Sequence, residues 1–319
     1  MLRLGMMAPF TDGLITSGGF LRDLAGTLEE CGVESLWTVE HIAVAERYEP
    51  LYPYSSDGRI PGSSGAVPMP DPLETIAFLA GASSSLRFGT AMIVAPLHSP
   101  VVLAKRAATI DRHSDGRLML GLGIGWQKEE YAAVGVPYED RGRRLEECVG
   151  AMRALWGSGP ASYQGRHVSF EGLHSLPRPA GGAVPVVLGG NSDPAVRRAG
   201  RIGDGWFPYT ITPEDFARQA DLLREAARGR AGPRTPWTSR SGRAPATVSA
   251  PRIPHGYGAS STRARHALSS LHKSAARTAF RAHGVWTRCA NRSTGTGPRY
   301  WRSCHERGAG TRRHPPRGR

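Results

Sequence analysis

Four times between residues 71 and 213 a capping side chain stands directly before a proline: Asp71-Pro72, Ser99-Pro100, Asp193-Pro194 and Thr212-Pro213. A Ser, Thr or Asp cap with proline at the first helical position is a specific helix start. The cap oxygen takes an orphan N–H, and proline has none to orphan. Asp71 with Glu74 three residues on also has the spacing of a capping box. Apolar runs punctuate these starts: Arg87 to Val94, Leu118 to Leu122, Pro185 to Leu188 and Trp206 to Pro208, with earlier ones at Leu2 to Met7 and Ser35 to Val39. They are near-continuous rather than alternating, as expected of strands covered on both faces. Leu21 to Cys31, with Leu21, Leu24, Ala25 and Leu28 on one face and Gly32 as its stop, reads as the first helix. The count is six strand–helix units ending near Ala227, with a hairpin insertion at Tyr163 to Phe170. Alternating units predict an α/β fold on a parallel sheet. Six units fit an open sheet or a barrel; eight would need about 250 residues or more.

Charge divides the chain at the same place. The 319 residues carry a net +14, but residues 1–227 sum to −5 and residues 228–319 to +19. In the second segment Arg, Gly, Pro, Ala, Ser and Thr fill 70 of 92 positions, and Val, Ile, Leu, Met and Phe only six. So few large apolar side chains do not offset chain entropy. Three readings compete: a basic nucleic-acid arm, a natural disordered tail, or out-of-frame translation of a GC-rich gene. Its single lysine, Lys273, and its Trp, His and Cys content fit the third best. The expected domains are therefore 1–227, an incomplete barrel, and 228–319, an aberrant tail.

Other classes are excluded. Cys31, Cys148, Cys289 and Cys304 form no C-x-x-C pair, against a zinc ribbon or disulfide scaffold. No run reaches 18 apolar residues, so no membrane partner is expected. Met1 to Phe10 lacks the pattern of a secretory signal, and a cytoplasmic home is the expectation.

Candidate chemistry lies at the carboxyl ends of the strands, where α/β active sites form. His41 follows the second strand. Gly121, Gly123 and Gly125, with Trp126, end the fourth; they offer close backbone approach to a ligand or a tight turn, and do not make a G-x-G-x-x-G fingerprint. Gly189-Gly190-Asn191-Ser192 opens a helix N-terminus to an anion, or is a short connecting turn. Asp111-Arg112 and Arg141 to Arg144 read as solvated faces or ion pairs, and His98 has a weak claim. No metal-ligand spacing, Ser/His/Asp set or paired carboxylates are evident. The Pro-, Gly- and Tyr-rich stretch 42–70 is too long for an ordinary connection and reads as an active-site loop.

Asp111 to Arg117 followed by Leu118-Met119-Leu120-Gly121-Leu122-Gly123-Ile124-Gly125-Trp126 resembles a signature region of luciferase-like monooxygenases, as do Val39-Glu40-His41 and Gly189 through Trp206. The resemblance covers roughly residues 1–227 and is closest to the subgroup using coenzyme F420. It implies a TIM-type (β/α)8 barrel with coenzyme F420, or alternatively FMN, at the strands' carboxyl ends. By similarity His41 lies beside the ring as orienter or acid/base. Ala91-Met92 matches a non-prolyl cis peptide buttressing the ring. Ile124, Gly125 and Trp126 line the ring or substrate side, and Gly189, Gly190 and Asn191 hold the cofactor phosphate. Trp126 stands where some deazaflavin-dependent sugar-phosphate dehydrogenases have a catalytic Glu, which argues against that substrate. The implied activity is hydride transfer between reduced F420 (or FMN) and a small organic substrate, or oxygen activation by a reduced flavin. Without the last two units the sheet keeps two unpaired edges, predicting low solubility or an oligomer, a homodimer among them. The alternatives are a cofactor-binding remnant without turnover, non-specific nucleic-acid binding through the basic tail, and an unrelated barrel enzyme taking a phosphorylated substrate at Gly189 to Ser192.

Overall fold

Ser35–Thr38, Arg87–Thr90 and Leu118–Gly123 are short strands buried at almost every residue. A computed structural model describes residues 3–10, 13–60, 67–228 and 246–247. Its elements run β1 (Leu4–Met7), α1 (Gly18–Glu30), β2 (Ser35–Thr38), α2 (Pro72–Gly81), β3 (Arg87–Thr90), β4 (Ile93–Val94), α3 (Pro100–His113), β5 (Leu118–Gly123), α4 (Lys128–Val134), α5 (Arg141–Trp156), β6 (Ala161–Gln164), β7 (Ser169–Leu173), β8 (Val186–Gly189), α6 (Asp193–Ile202), β9 (Gly205–Phe207), α7 (Pro213–Arg228) and β10 (Ala246–Thr247). The main sheet runs β10-β1-β2-β3-β5-β8-β9 with every pairing parallel; β4 adds to β5, and β6–β7 is a separate antiparallel hairpin. The result is a parallel α/β half-barrel with the six expected strand–helix units.

The expected helix starts hold with three changes, the first that Ser99 makes no side-chain cap bond at α3. Asp71 accepts from the N–H groups of Leu73 and Glu74, and Thr212 Oγ1 from that of Asp215. Glu74 does not close a reciprocal box; its carboxylate pairs with Arg106. Asp193 is not the cap of α6 but its first residue, with Ser192 before it, and its carboxylate meets Arg218.

The half-barrel interior is filled by Trp37, whose ring lies 5.0 Å from that of Phe207, with Met119 beside them. Room for the indole exists because Gly89 has no side chain: a Cβ there would lie 2.3 Å from the ring. Met7, Ala91, Met92 and Val187 cover this layer and are themselves partly exposed. Of these, Met7 ends β1 and Ala91 and Met92 follow β3, so part of the exposed side of this layer lies at the strands' carboxyl ends.

Two expectations are corrected. Asp111 is not on a solvated face: it is 1% exposed and accepts from Ala180 N–H at 2.8 Å, and burial pushes its carboxyl above the ordinary value. The β1 edge is also not unpaired, since Leu4 and Gly5 lie opposite Ala246 and Thr247. An edge pairing uses backbone groups that composition does not register. Apart from Arg228 and this two-residue strand, the tail 228–319 lies outside the described residues, and so do its three readings.

Candidate active site

Each site segment begins where a strand stops. The Ala91–Met92 peptide at the end of β3 is cis. It follows Thr90, whose hydroxyl donates to Gly121 O at 2.7 Å and accepts from Gly121 N–H at 2.9 Å, locking β3 to β5. The glycines of β5 serve this packing. A Cβ at Gly121 would lie 1.7 Å from Thr90 O, one at Gly123 would lie 3.2 Å from Met92 Cβ, and Gly125 has φ 63° with Val94 against it. Close approach is therefore required, but by protein atoms. At the end of β8 a Cβ on Gly189 would lie 2.8 Å from Met92 Cγ. Met92 thus packs against the ends of both β5 and β8.

His41 sits on the other side. Its Nδ1 lies 3.0 Å from Glu130 Oε2, with the side chains 11% and 1% exposed. Glu130 Oε1 also accepts from the N–H groups of Ile42 and Ala43, at 2.6 and 3.3 Å. An ionised Glu130 only accepts, so Nδ1 then donates in this pair and Nε2 is the nitrogen left over. The His41 ring is edge-on to Trp126 at 5.7 Å. A second such pair lies behind it: Glu40 takes His98 Nε2 at 3.0 Å and Val94 N–H at 2.7 Å. His98 is thus a partner of Glu40.

The long loop after β2 is docked residue by residue onto the start of α4. Trp126 meets the rings of Tyr48 and Tyr52 at 5.1 and 5.4 Å. Gln127 accepts from Ala45 N–H, Glu129 from Glu49 N–H, and Lys128 pairs with the Glu49 carboxylate. From there the loop crosses to β9, where Tyr54 meets Tyr209 at 4.8 Å. Asn191 closes the circle: its amide donates to Tyr209 O, and its oxygen accepts from Tyr209 N–H at 3.0 Å. Ile124 contributes its carbonyl to the Tyr131 hydroxyl.

Of the nine sequence-selected positions, His41 lies beside Trp126, and Gly189, like Gly123, approaches Met92, while Ile124, Gly125, Gly190 and Asn191 lie in the segments that follow β5 and β8. The Asn191 amide bonds Tyr209 through both its nitrogen and its oxygen, while the Ser192 hydroxyl makes no cap bond at α6. Gly190 has φ 113°, which an ordinary side chain disfavours. Sequence reasoning missed Glu130, Glu40, Tyr52, Tyr54 and Tyr209. The tyrosines were visible only as loop composition, and Glu130 only as one of two adjacent acids.

Parallel strands alternating with helices define an α/β half-barrel. The chain belongs to the luciferase-like monooxygenase family, whose model matches residues 2–283. That match runs past the compositional boundary at residue 227. An uncharacterized protein of Mycobacterium tuberculosis is 31% identical over 207 residues, covering 64% of this chain and 73% of the relative. An FMNH(2)-dependent dimethylsulfone monooxygenase of Pseudomonas fluorescens is 30% identical over 160 residues, 48% of this chain and 43% of the relative. The coenzyme F420 dependent tetrahydromethanopterin reductase of Methanopyrus kandleri shares the fold with a TM-score of 0.56 and 19% identity, covering 72% of this chain and 62% of that one. Among the described residues no helix is long and apolar enough to cross a membrane, and no His/Cys/Asp/Glu group fits a metal ion.

Proposed function

We propose that this chain is an oxidoreductase that transfers a hydride between reduced coenzyme F420, or alternatively FMN, and a small organic substrate, with His41 as acid/base. The observation that carries the reading is the Glu130–His41 pair beside Trp126.

The residues present fit such a cofactor. On one side are the partly exposed Ala91 and Met92. At the other side, Gly190 and the residues opening α6 present backbone to an anion, and Ser192 makes no side-chain cap bond that would compete for the first-turn N–H groups. Gly189, Gly190 and Asn191 would hold the phosphate through backbone, and Ala91, Met92, Ile124, Gly125 and Trp126 would border the ring. When bound, the cofactor supplies the two-electron chemistry. His41 delivers or takes the accompanying proton through Nε2. Glu130 fixes the tautomer, and Tyr48 and Tyr52 against Trp126 keep water from that side.

Fluorescence titration of the full chain with F420 and with FMN tests the reading, followed by His41→Ala in binding and in turnover with a panel of small ketones and alcohols. One cofactor is expected to bind. His41→Ala should leave its Kd within about threefold and slow turnover about 100-fold or more. Equal losses would reduce His41 to a binding contact, and binding of neither cofactor would refute the proposal.

A further inference from the structure

The loop between β8 and α6 is held by its carbonyls. Trp206, in β9, donates its indole N–H to Gly190 O at 2.9 Å. Gln219, in α7, donates its amide to Asn191 O. The Asn191 side chain is tied separately, to the backbone of Tyr209. The peptide bonds of this loop are trans, so each C=O points opposite to the N–H of the next residue. Holding Gly190 O and Asn191 O therefore turns the Asn191 and Ser192 N–H groups away from their braces. Among the described residues those two N–H groups donate to no acceptor.

Both braces are themselves fixed. The Trp206 ring stacks on Phe216 of α7, with centroids 5.7 Å apart and planes at 18°. α7 lies close on α6, since a Cβ at Gly200 would lie 2.6 Å from Leu223 O. Arg218, beside Gln219 in the chain, pairs at 3.0 Å with Asp193, the acid in the first turn of α6, and offsets its charge. Gln219 is 4% exposed, and its Oε1 has no donor among the described residues. A half-satisfied buried amide costs stability, and an apolar side chain would fill the place more favourably. What the amide supplies, and an apolar chain does not, is the donor to Asn191 O.

We propose that Trp206 and Gln219 are positioning residues for the cofactor phosphate: by holding the Gly190 and Asn191 carbonyls they aim the Asn191 and Ser192 N–H groups at the anion. The proposal rests on the cofactor reading above and adds to it the two side chains that set the geometry of the phosphate loop. Both act through the loop backbone, at a helix N-terminus whose first-turn N–H groups favour an anion.

The test compares ligands that differ in the phosphate. FMN with riboflavin, and F420 with its phosphate-free deazariboflavin core, are titrated by ligand fluorescence into the full chain, as wild type, Trp206→Phe and Gln219→Met. The first variant keeps a ring against Phe216, the second fills the place of the amide, and each removes one donor. Wild type should bind one phosphate-bearing cofactor more tightly than its phosphate-free partner. Each variant should lose about 3- to 10-fold in affinity for that cofactor and hold the phosphate-free ligand within about twofold. In wild-type amide spectra the Asn191 and Ser192 protons should move downfield with the cofactor and stay in place with the phosphate-free ligand. Equal losses for both members of the pair would overturn the proposal, because the braces would then serve the fold or the ring. So would cofactor affinity unchanged in either variant, no preference of wild type for the phosphate, or Asn191 and Ser192 protons that ignore it. Failure of the wild-type chain to bind either cofactor would instead sink the underlying reading, and this proposal with it.

Discussion

Replacing Glu130 by glutamine changes one atom in a buried site and should reverse the His41 ring. The carboxylate, 1% exposed, receives three donors: His41 Nδ1 at 3.0 Å, Ile42 N–H at 2.6 Å and Ala43 N–H at 3.3 Å. Glutamine keeps the volume and one acceptor, and the backbone donors of Ile42 and Ala43 will claim it. The amide nitrogen then faces His41 as a donor. Two donors repel, so Nδ1 gives up its proton and Nε2–H becomes the neutral form. A hydrogen bond to a charged group contributes about 1.5–3 kcal/mol, against about 0.5–1.5 for a neutral one. The net stability loss is therefore about 1–2 kcal/mol, or roughly 2–8 °C in Tm for a domain of this size. Long-range nitrogen-15 correlation spectra of the imidazole read the tautomer directly and need no substrate. Wild type should show a protonated Nδ1 and a bare Nε2 in the neutral ring, and Glu130→Gln the opposite. Identical ring spectra in the two proteins would refute the claim that Glu130 sets the working nitrogen of His41.

Three further outcomes follow from packing and electrostatics. Burial alone would raise the Glu29 carboxyl, but hydrogen bonds from Ser85 N–H and Oγ, Leu86 N–H and Ser83 Oγ outweigh it and hold it at about 2 against an ordinary 4.5. Because the folded value is depressed, its contribution is full above about pH 4.5 and is lost as pH falls toward 2. Glu29→Gln should cost about 1–2 kcal/mol at pH 7 after solvent screening, and denaturant curves should converge with wild type over that acidic window. Gly121→Ala would drive a Cβ to 1.7 Å from Thr90 O and should destabilise by about 3 kcal/mol or more; a normal melting curve would contradict the β3–β5 lock. Gly26, inside α1 with open space at its Cβ, should gain about 0.5–1 kcal/mol on mutation to Ala, seen as a higher denaturant midpoint.

Much of the framework is local and therefore legible. A cap before a proline fixes where a helix begins within one turn, and all four such pairs open helices. The apolar runs mark six strands because burial on both faces removes polar residues from them. Boundaries slipped where longer-range geometry intervened: the run Arg87 to Val94 reads as one strand but is broken at Ala91–Met92. The β5 glycines illustrate the same limit. Their spacing announces that something comes close to the backbone, but sequence does not say whether it is a ligand or the Thr90 carbonyl.

The site was legible only as strand ends, because its decisive contacts join residues far apart in the chain. Glu130 reaches back 89 residues to His41, and Glu40 forward 58 to His98. Glu40 and His41 are neighbours in sequence, so they face different partners and build two crossed pairs from one dipeptide. The first holds the Val94 amide just beyond the cis bond, and the second holds the His41 imidazole. One short segment thus anchors both the residues after the cis peptide and the imidazole beside Trp126. A displacement of β2 along its neighbours would disturb both pairs together. Trp126, Gln127, Lys128, Glu129 and Glu130 tie the loop after β2 in succession, and each tie restrains the strand end on which both pairs depend.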